Sequence, residues 1–242
     1  IKYTKRIAIL QEFFPSKDEQ ALYDLVSEYL ARPKLYALPN SQRQLMTLIL
    51  RKLLASSTYA IHDTFCSLIA RLEAKLQRQE SASLEEVYMD FDGSDDDWID
   101  DEEVEEEEQE VLHPSDIEGI KNEIKELYAF RDLAAKIKKN SKAEQLFTAL
   151  DKGFEQLDSL GAQKKALIFT ESRRTQEFLY ELLEKRGYKG KIVRFNGTNT
   201  DRQSTEIYKA WMEKHKGSHK ITGSPTADRR AAIVDYFREE GT

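Results

Sequence analysis

Residues 164–175 read Lys-Lys-Ala-Leu-Ile-Phe-Thr-Glu-Ser-Arg-Arg-Thr. Ala166, Leu167, Ile168 and Phe169 form a short apolar run without alternation, the pattern expected of a strand buried on both faces of a parallel sheet. Thr170, Glu171 and Ser172 then suit a turn and a helix N-cap. Phe178, Leu179, Leu182 and Leu183 follow at helical spacing. Strand, polar turn and amphipathic helix make half of a βαβ unit, and ligands of open α/β sheets sit at such turns. The stretch therefore predicts an α/β fold and a place to look for function.

Downstream the pattern repeats. Gly187 and Gly190 bracket a second apolar run, Lys191-Ile-Val-Arg-Phe195, which reads as another strand. The turn Asn196-Gly-Thr-Asn-Thr-Asp201 and a helix to about Lys214 follow, with Ile207, Tyr208 and Trp211 apolar. Then Thr222-Gly-Ser-Pro-Thr-Ala-Asp-Arg229 leads into a helix carrying Ala231, Ile233, Val234 and Phe237. The segments 196–202 and 222–229 echo one another, each placing Gly and hydroxyl residues before a helix. Such starts are ready anion sites, and glycine lets a phosphate come close. The same residues are also good capping chemistry and nothing more.

Upstream, the chain reads as helices. Leu22, Leu25, Val26, Tyr29 and Leu30 share a face after a start at residues 15–18. Asn40 and Ser41 cap a second helix with Leu45, Leu48, Ile49, Leu53 and Leu54 apolar. A third, from Tyr59 to about Arg78, turns Ile61, Phe65, Leu68, Ile69 and Leu72 inward. A long helix begins at Pro114 and Ser115, with Ile117, Ile120, Ile124, Leu127 and Tyr128 in register. Ser141 caps another, which holds Leu146, Phe147 and Leu150.

Charge is distributed unevenly. The net charge of −7 hides residues 85–110, which hold 16 Asp or Glu and no Lys or Arg. Without them the balance is 37 basic to 28 acidic residues, or +9. The plain reading of the acidic run is a solvated linker, because like charges repel and little apolar surface can be buried. The sharper reading is a mimic that competes with nucleic acid for a basic groove, with Trp98 as an anchor. A basic remainder is compatible with an anionic partner. Cys66 is the single cysteine, which excludes an internal disulfide and fits a reducing, cytoplasmic setting. Its neighbours Phe65, Leu68 and Ile69 predict a buried position. No apolar run approaches the roughly 18 residues of a membrane span. His215 and His219 stand four apart, but Gly217 between them and the lack of a third ligand argue against metal. The start at Ile1 and the end at Thr242 read as cuts inside a longer protein.

Lys165-Ala-Leu-Ile-Phe-Thr-Glu-Ser-Arg-Arg-Thr175 resembles motif IV of superfamily-two helicase-like ATPases, where it opens the second RecA-like lobe. Gly223-Ser-Pro-Thr-Ala-Asp-Arg229, with Ile233 and Phe237 beyond, is similar to the segment that follows in the Swi/Snf-like branch. Residues 20–23 and 50–57 look like the helical region between the lobes there. The resemblance implies an α/β chain with a mostly helical first half and a truncated RecA-like parallel sheet. Its parts would be a helical interlobe region (1–84), an acidic linker (85–112), a long helix (113–140) and a partial second lobe (141–242). It implies a part of an ATP-dependent nucleic-acid translocase or remodeller, with DNA preferred to RNA and the first RecA-like lobe of the same chain as partner. ATP and magnesium would serve the whole protein. None would bind here, because the phosphate loop, the Asp-Glu box and motif VI are missing from these 242 residues. No catalytic residue is expected. The residues placed against a phosphate backbone would be Thr170, Ser172, Arg173, Arg174, Asn196, Gly197 and Thr198, then Gly223, Ser224 and Arg229. The competing reading is a non-enzymatic helical interaction module whose acidic segment binds a partner.

Overall fold

The structure, a computed structural model, describes residues 8–38, 43–77 and 113–239. These hold α1 (Lys17–Leu30), α2 (Arg43–Ser56), α3 (Thr58–Gln77), α4 (Pro114–Lys136), α5 (Ser141–Ser159), α6 (Arg173–Leu183), α7 (Arg202–Lys214) and α8 (Pro225–Glu239). A π-helical turn, Glu184–Tyr188, extends α6 and turns at Gly187, whose φ of 105° suits glycine. The acidic run, Trp98 and the Asn40–Ser41 cap lie outside the described residues.

Helix starts follow the local chemistry. The Ser16 hydroxyl accepts from the Glu19 amide at 3.2 Å while the Glu19 carboxylate accepts from the Ser16 amide at 2.7 Å, a reciprocal cap on α1. Glu19 also accepts from the Ser141 amide at 2.9 Å and hydroxyl at 2.5 Å, so one carboxylate joins the starts of α1 and α5. Burial works to raise the Glu19 pKa, but the bonds from Ser141 and Ser16 outweigh it and hold the group below its ordinary value. Asn140 caps α5 through the Ala143 amide at 2.8 Å, and Pro114 opens α4, where its missing N–H costs nothing.

The core belongs to α1–α4. Leu22, Val26 and Leu30 of α1 meet Met46, Leu50 and Leu53 of α2, Ile61, Leu68 and Leu72 of α3, and Ile120 and Leu127 of α4, all buried. Each such side chain contributes about 1.5–3 kcal/mol when fully buried. Phe130 of α4 meets Tyr29 edge-on at 5.7 Å and Phe65 at 5.8 Å, tying three helices through one ring.

The bundle's polar centre is Glu123 of α4, only 6% exposed. It accepts from the Tyr29 hydroxyl (2.7 Å), the Tyr36 amide (2.7 Å) and the Ala37 amide (3.0 Å). The α1–α2 connection is thus fastened to α4 at two successive amides. Burial first, and then the Glu123 charge, push the Tyr29 phenol well above its ordinary pKa. The Tyr36 hydroxyl reaches Asp116 at 3.0 Å, and its ring lies over Gly119 of α4. A Cβ on Gly119 would stand 2.5 Å from Tyr36 Cε2.

The α/β expectation is overturned, and with it the truncated parallel sheet: among the described residues there is no strand. Residues 166–169 are not helical and join no ladder among the described residues, and Leu167 is 69% and Phe169 89% exposed. Residues 191–195 likewise join no ladder. Side chains meet their backbone instead: Gln203 Nε2 donates to the Ile192 carbonyl and Gln176 Nε2 to the Phe195 carbonyl, each at 2.9 Å. A strand exists only as a member of a ladder, so an apolar run states a preference that neighbours must satisfy. Two smaller readings are also corrected. Cys66 is helical but exposed, because Phe65, Leu68 and Ile69 take the inward face of α3. Leu45 and Leu48 stay largely exposed, because the buried stripe of α2 is Met46, Ile49, Leu50, Leu53 and Leu54.

Gly119→Ala should lower stability although alanine is the better helix former by about 1 kcal/mol, since Tyr36 is held at both ends. Gly153→Ala, with open space around it, should raise stability by up to about 1 kcal/mol. Glu123→Ala should cost about 3 kcal/mol or more by stranding three donors, and Glu123→Gln less. Urea unfolding of the four variants checks the set.

Candidate nucleic-acid interface

α6 carries the first predicted turn and is seated on the bundle. Phe178 stacks on Tyr59 of α3 at 5.5 Å and 20°. The Thr175 and Ser56 hydroxyls meet at 3.2 Å, and Lys52 of α2 lies 3.7 Å from Glu171. Ser172, buried, caps α6 by accepting from the Thr175 amide at 3.3 Å. The Thr170 hydroxyl and the Arg173 Nε are buried without a hydrogen-bond partner among the described residues. Arg174 turns toward α3, donating to the Thr64 hydroxyl at 3.3 Å.

The second turn folds around two asparagines. Asn196 Oδ1 accepts from the Asn199 amide (2.8 Å), the Thr198 amide (3.2 Å) and the Thr198 hydroxyl (3.3 Å). Asn199 Oδ1 in turn accepts from the Asn196 amide at 2.8 Å. Asn199 has a φ of 48°, which asparagine tolerates. Gly197 stands at the tip and Thr198 is exposed. Asp201 then caps α7 through the Ser204 amide at 3.1 Å. Burial opposes its ionisation, but Ser204 and the Arg194 guanidinium at 3.4 Å hold its pKa below the ordinary value.

The third turn is organised by Asp228 of α8. Its carboxylate accepts from the Thr222 amide (2.9 Å), the Thr222 hydroxyl (2.8 Å) and the Gly223 amide (3.2 Å). These bonds, the Thr222 amide foremost, hold its pKa below the ordinary carboxylate value. Gly223 has a φ of 85°, and Ser224 is exposed.

Two side chains join the turns in a row. Gln176 of α6 donates to the Phe195 carbonyl and accepts from Asn196 Nδ2 at 3.2 Å. Arg229 of α8 donates to the Asn199 carbonyl at 3.2 Å and lies over the Tyr208 ring of α7 at 5.0 Å. The starts of α6, α7 and α8 therefore sit side by side, gathering the positive ends of three helix dipoles. Thr198, Thr200, Ser224 and Thr226 give this row an exposed hydroxyl surface.

Of the predicted contacts, Thr198 and Ser224 are exposed in this row, and Thr170, Arg173 and Gly197 are half-buried within it. Ser172, Asn196, Gly223 and Arg229 hold the turns, and Arg174 faces the bundle. Gln176, Asn199 and Asp228, which fasten the row, were not singled out in the sequence. The asparagine pair in Asn-Gly-Thr-Asn was the available signal for Asn199. No group of three or more metal-ligating side chains occurs among the described residues. His215 packs on Trp211 at 4.9 Å.

No family model, curated protein or solved structure matches the chain. With no strand among the described residues either, the resemblance to the helicase-like ATPase lobe is withdrawn: short matches at 165–175, 223–237, 20–23 and 50–57 carried it, and neither relatives nor a sheet supports it. No helix among the described residues is long and apolar enough to cross a membrane.

Because the Asp228 pKa is depressed, its stabilising contribution is complete above the unfolded carboxylate value, near 3.9, and is lost as pH falls through the lower folded value. Asp228→Asn should lower the Tm at neutral pH and shrink the fall in Tm between about pH 5 and pH 2. Thermal melts across that range measure it.

Proposed function

We propose that this chain binds the phosphate backbone of nucleic acid, DNA in preference to RNA, through the row of helix starts at 170–174, 196–201 and 222–226. We further propose that it does so as the gripping part of an ATP-dependent translocase or remodeller. The single supporting observation is the side-by-side packing of the three turns by Gln176 and Arg229. Three separate segments of chain are held to make one hydroxyl-bearing surface. Hydroxyls and helix-start N–H groups position phosphates without reading bases, and basic side chains nearby add salt-dependent attraction. The carboxylates inside the row keep their charge, but Asp228 is buried against Thr222 and Gly223 and Asp201 sits beside Arg194. ATP and magnesium enter the proposal only as cofactors of the wider machine, since these residues contain no phosphate loop.

A second reading, a helical protein-interaction module, is favoured by one observation: the exposed apolar run with Leu167 and Phe169. The two readings separate by mutation. Thr198→Asp and Ser224→Asp place charge at exposed points of the row. Each should weaken binding of a fluorescent duplex oligonucleotide to the full chain about tenfold, and Arg173→Ala should lower the salt slope by about 1. Leu167→Ser with Phe169→Ser should leave that binding intact. Unchanged affinity and slope in the Asp and Ala variants would overturn the backbone-binding proposal.

A further inference from the structure

A cleft runs along the opposite side of α6, where α3, the end of α4 and α5 converge. It has two lobes of about 290 and 460 Å³, and Lys138, Asn140 and Phe178 line both. The volumes suit a small ligand. None of the predicted backbone-contact residues lines it.

Its walls combine two kinds of group. Phe178 presents an aromatic ring to both lobes, backed by Tyr59 in one, and Phe147 of α5 adds a ring in the other. Three cations surround these rings. Lys138, exposed between α4 and α5, has no hydrogen-bond or ion-pair partner among the described residues. Lys139 stands a loose 3.6 Å from Glu144. Arg186 lies over Phe147 at 5.0 Å and 3.5 Å from Asp151. Glu144 is the one carboxylate among the described lining residues, and with Asp151 beside Arg186 the three cations still outnumber the carboxylates near them. A purely apolar ligand would leave Lys138 unanswered. A bare inorganic anion would leave the rings uncovered.

We propose that this cleft binds a nucleoside phosphate, its base against Phe178 and Phe147 and its phosphate beside Lys138, with Lys139 and Arg186 adding charge. The unit could come from a free mononucleotide or from an unstacked position of a single strand, which share this chemistry. The inference does not rest on the row of turns, which addresses backbone only.

Titration of the full chain with AMP, adenosine and inorganic phosphate, followed by NMR, tests it. A fluorescent single-stranded oligonucleotide is titrated in parallel. Phe178→Leu removes the ring but keeps apolar volume, and Lys138→Glu reverses an exposed charge; melting curves verify both folds. AMP should bind more tightly than adenosine or phosphate, and each variant should weaken it about tenfold. If the oligonucleotide binds no tighter than AMP, the source is the free nucleotide. If it binds far tighter and the folded variants lose that gain, the source is a strand. Thr198→Asp should leave AMP binding unchanged, which separates this site from the row. The proposal fails if phosphate matches AMP, if both folded variants bind like the parent, or if neither AMP nor the strand binds.

Discussion

Glu123 is the constraint on which the rest of the structure depends. A carboxylate this deep is tolerable only if its oxygens are saturated, and three donors saturate them. Two are successive backbone amides of the α1–α2 connection, so satisfying the charge also fixes where that connection crosses α4. Arg32, paired with Glu126 through two bonds of 2.6 Å, and Lys34, 2.9 Å from Asp116, extend the fastening along α4. With α4 fixed, α3 lies against it and offers Tyr59 and Thr64 to α6. The seat of α6 then places the turn at Ser172, and through Gln176 and Arg229 the other two turns follow. The apolar bundle supplies the stability, and the buried carboxylate supplies its register.

Helices were legible in the sequence because each carries its signals locally. Residues 15–18, Pro114, Ser172 and Asp201 all stand at helix starts, and the apolar spacing beyond each marks the buried face, whereas the cap expected at Ser141 falls one residue earlier, at Asn140. The two apolar runs at 166–169 and 191–195 misled because strand formation is collective. Alternation and hydrophobicity say what a segment could bury, while the ladder that makes it a strand lies elsewhere in the chain or nowhere. Cys66 shows the same limit on a smaller scale: its neighbours are inward, but helical geometry turns the position between them outward.

The candidate interface was half legible. Hydroxyl residues before helices marked three turns, two of them with Gly, and Gln176 and Arg229 join the three. What the sequence withheld was the fastening. Gln176 and Arg229 act across 20 and 30 residues of chain, and Asp228 reaches back to Thr222 from inside a helix. Capping and anion binding also use the same atoms, so composition alone could not separate them. The geometry divides the labour: Ser172, Asn196 and Asp228 fold the turns, which leaves Thr198 and Ser224 facing outward.

The central claim, that the three turns act as one backbone-binding surface, is tested most directly by amide chemical shifts during titration of the full chain with a short DNA duplex. The account predicts that the largest changes fall at 170–174, 196–201 and 222–226 and follow one common binding curve. Changes confined to one turn, or scattered over the lysine-bearing surfaces of α4 and α5 with the turns silent, would contradict it.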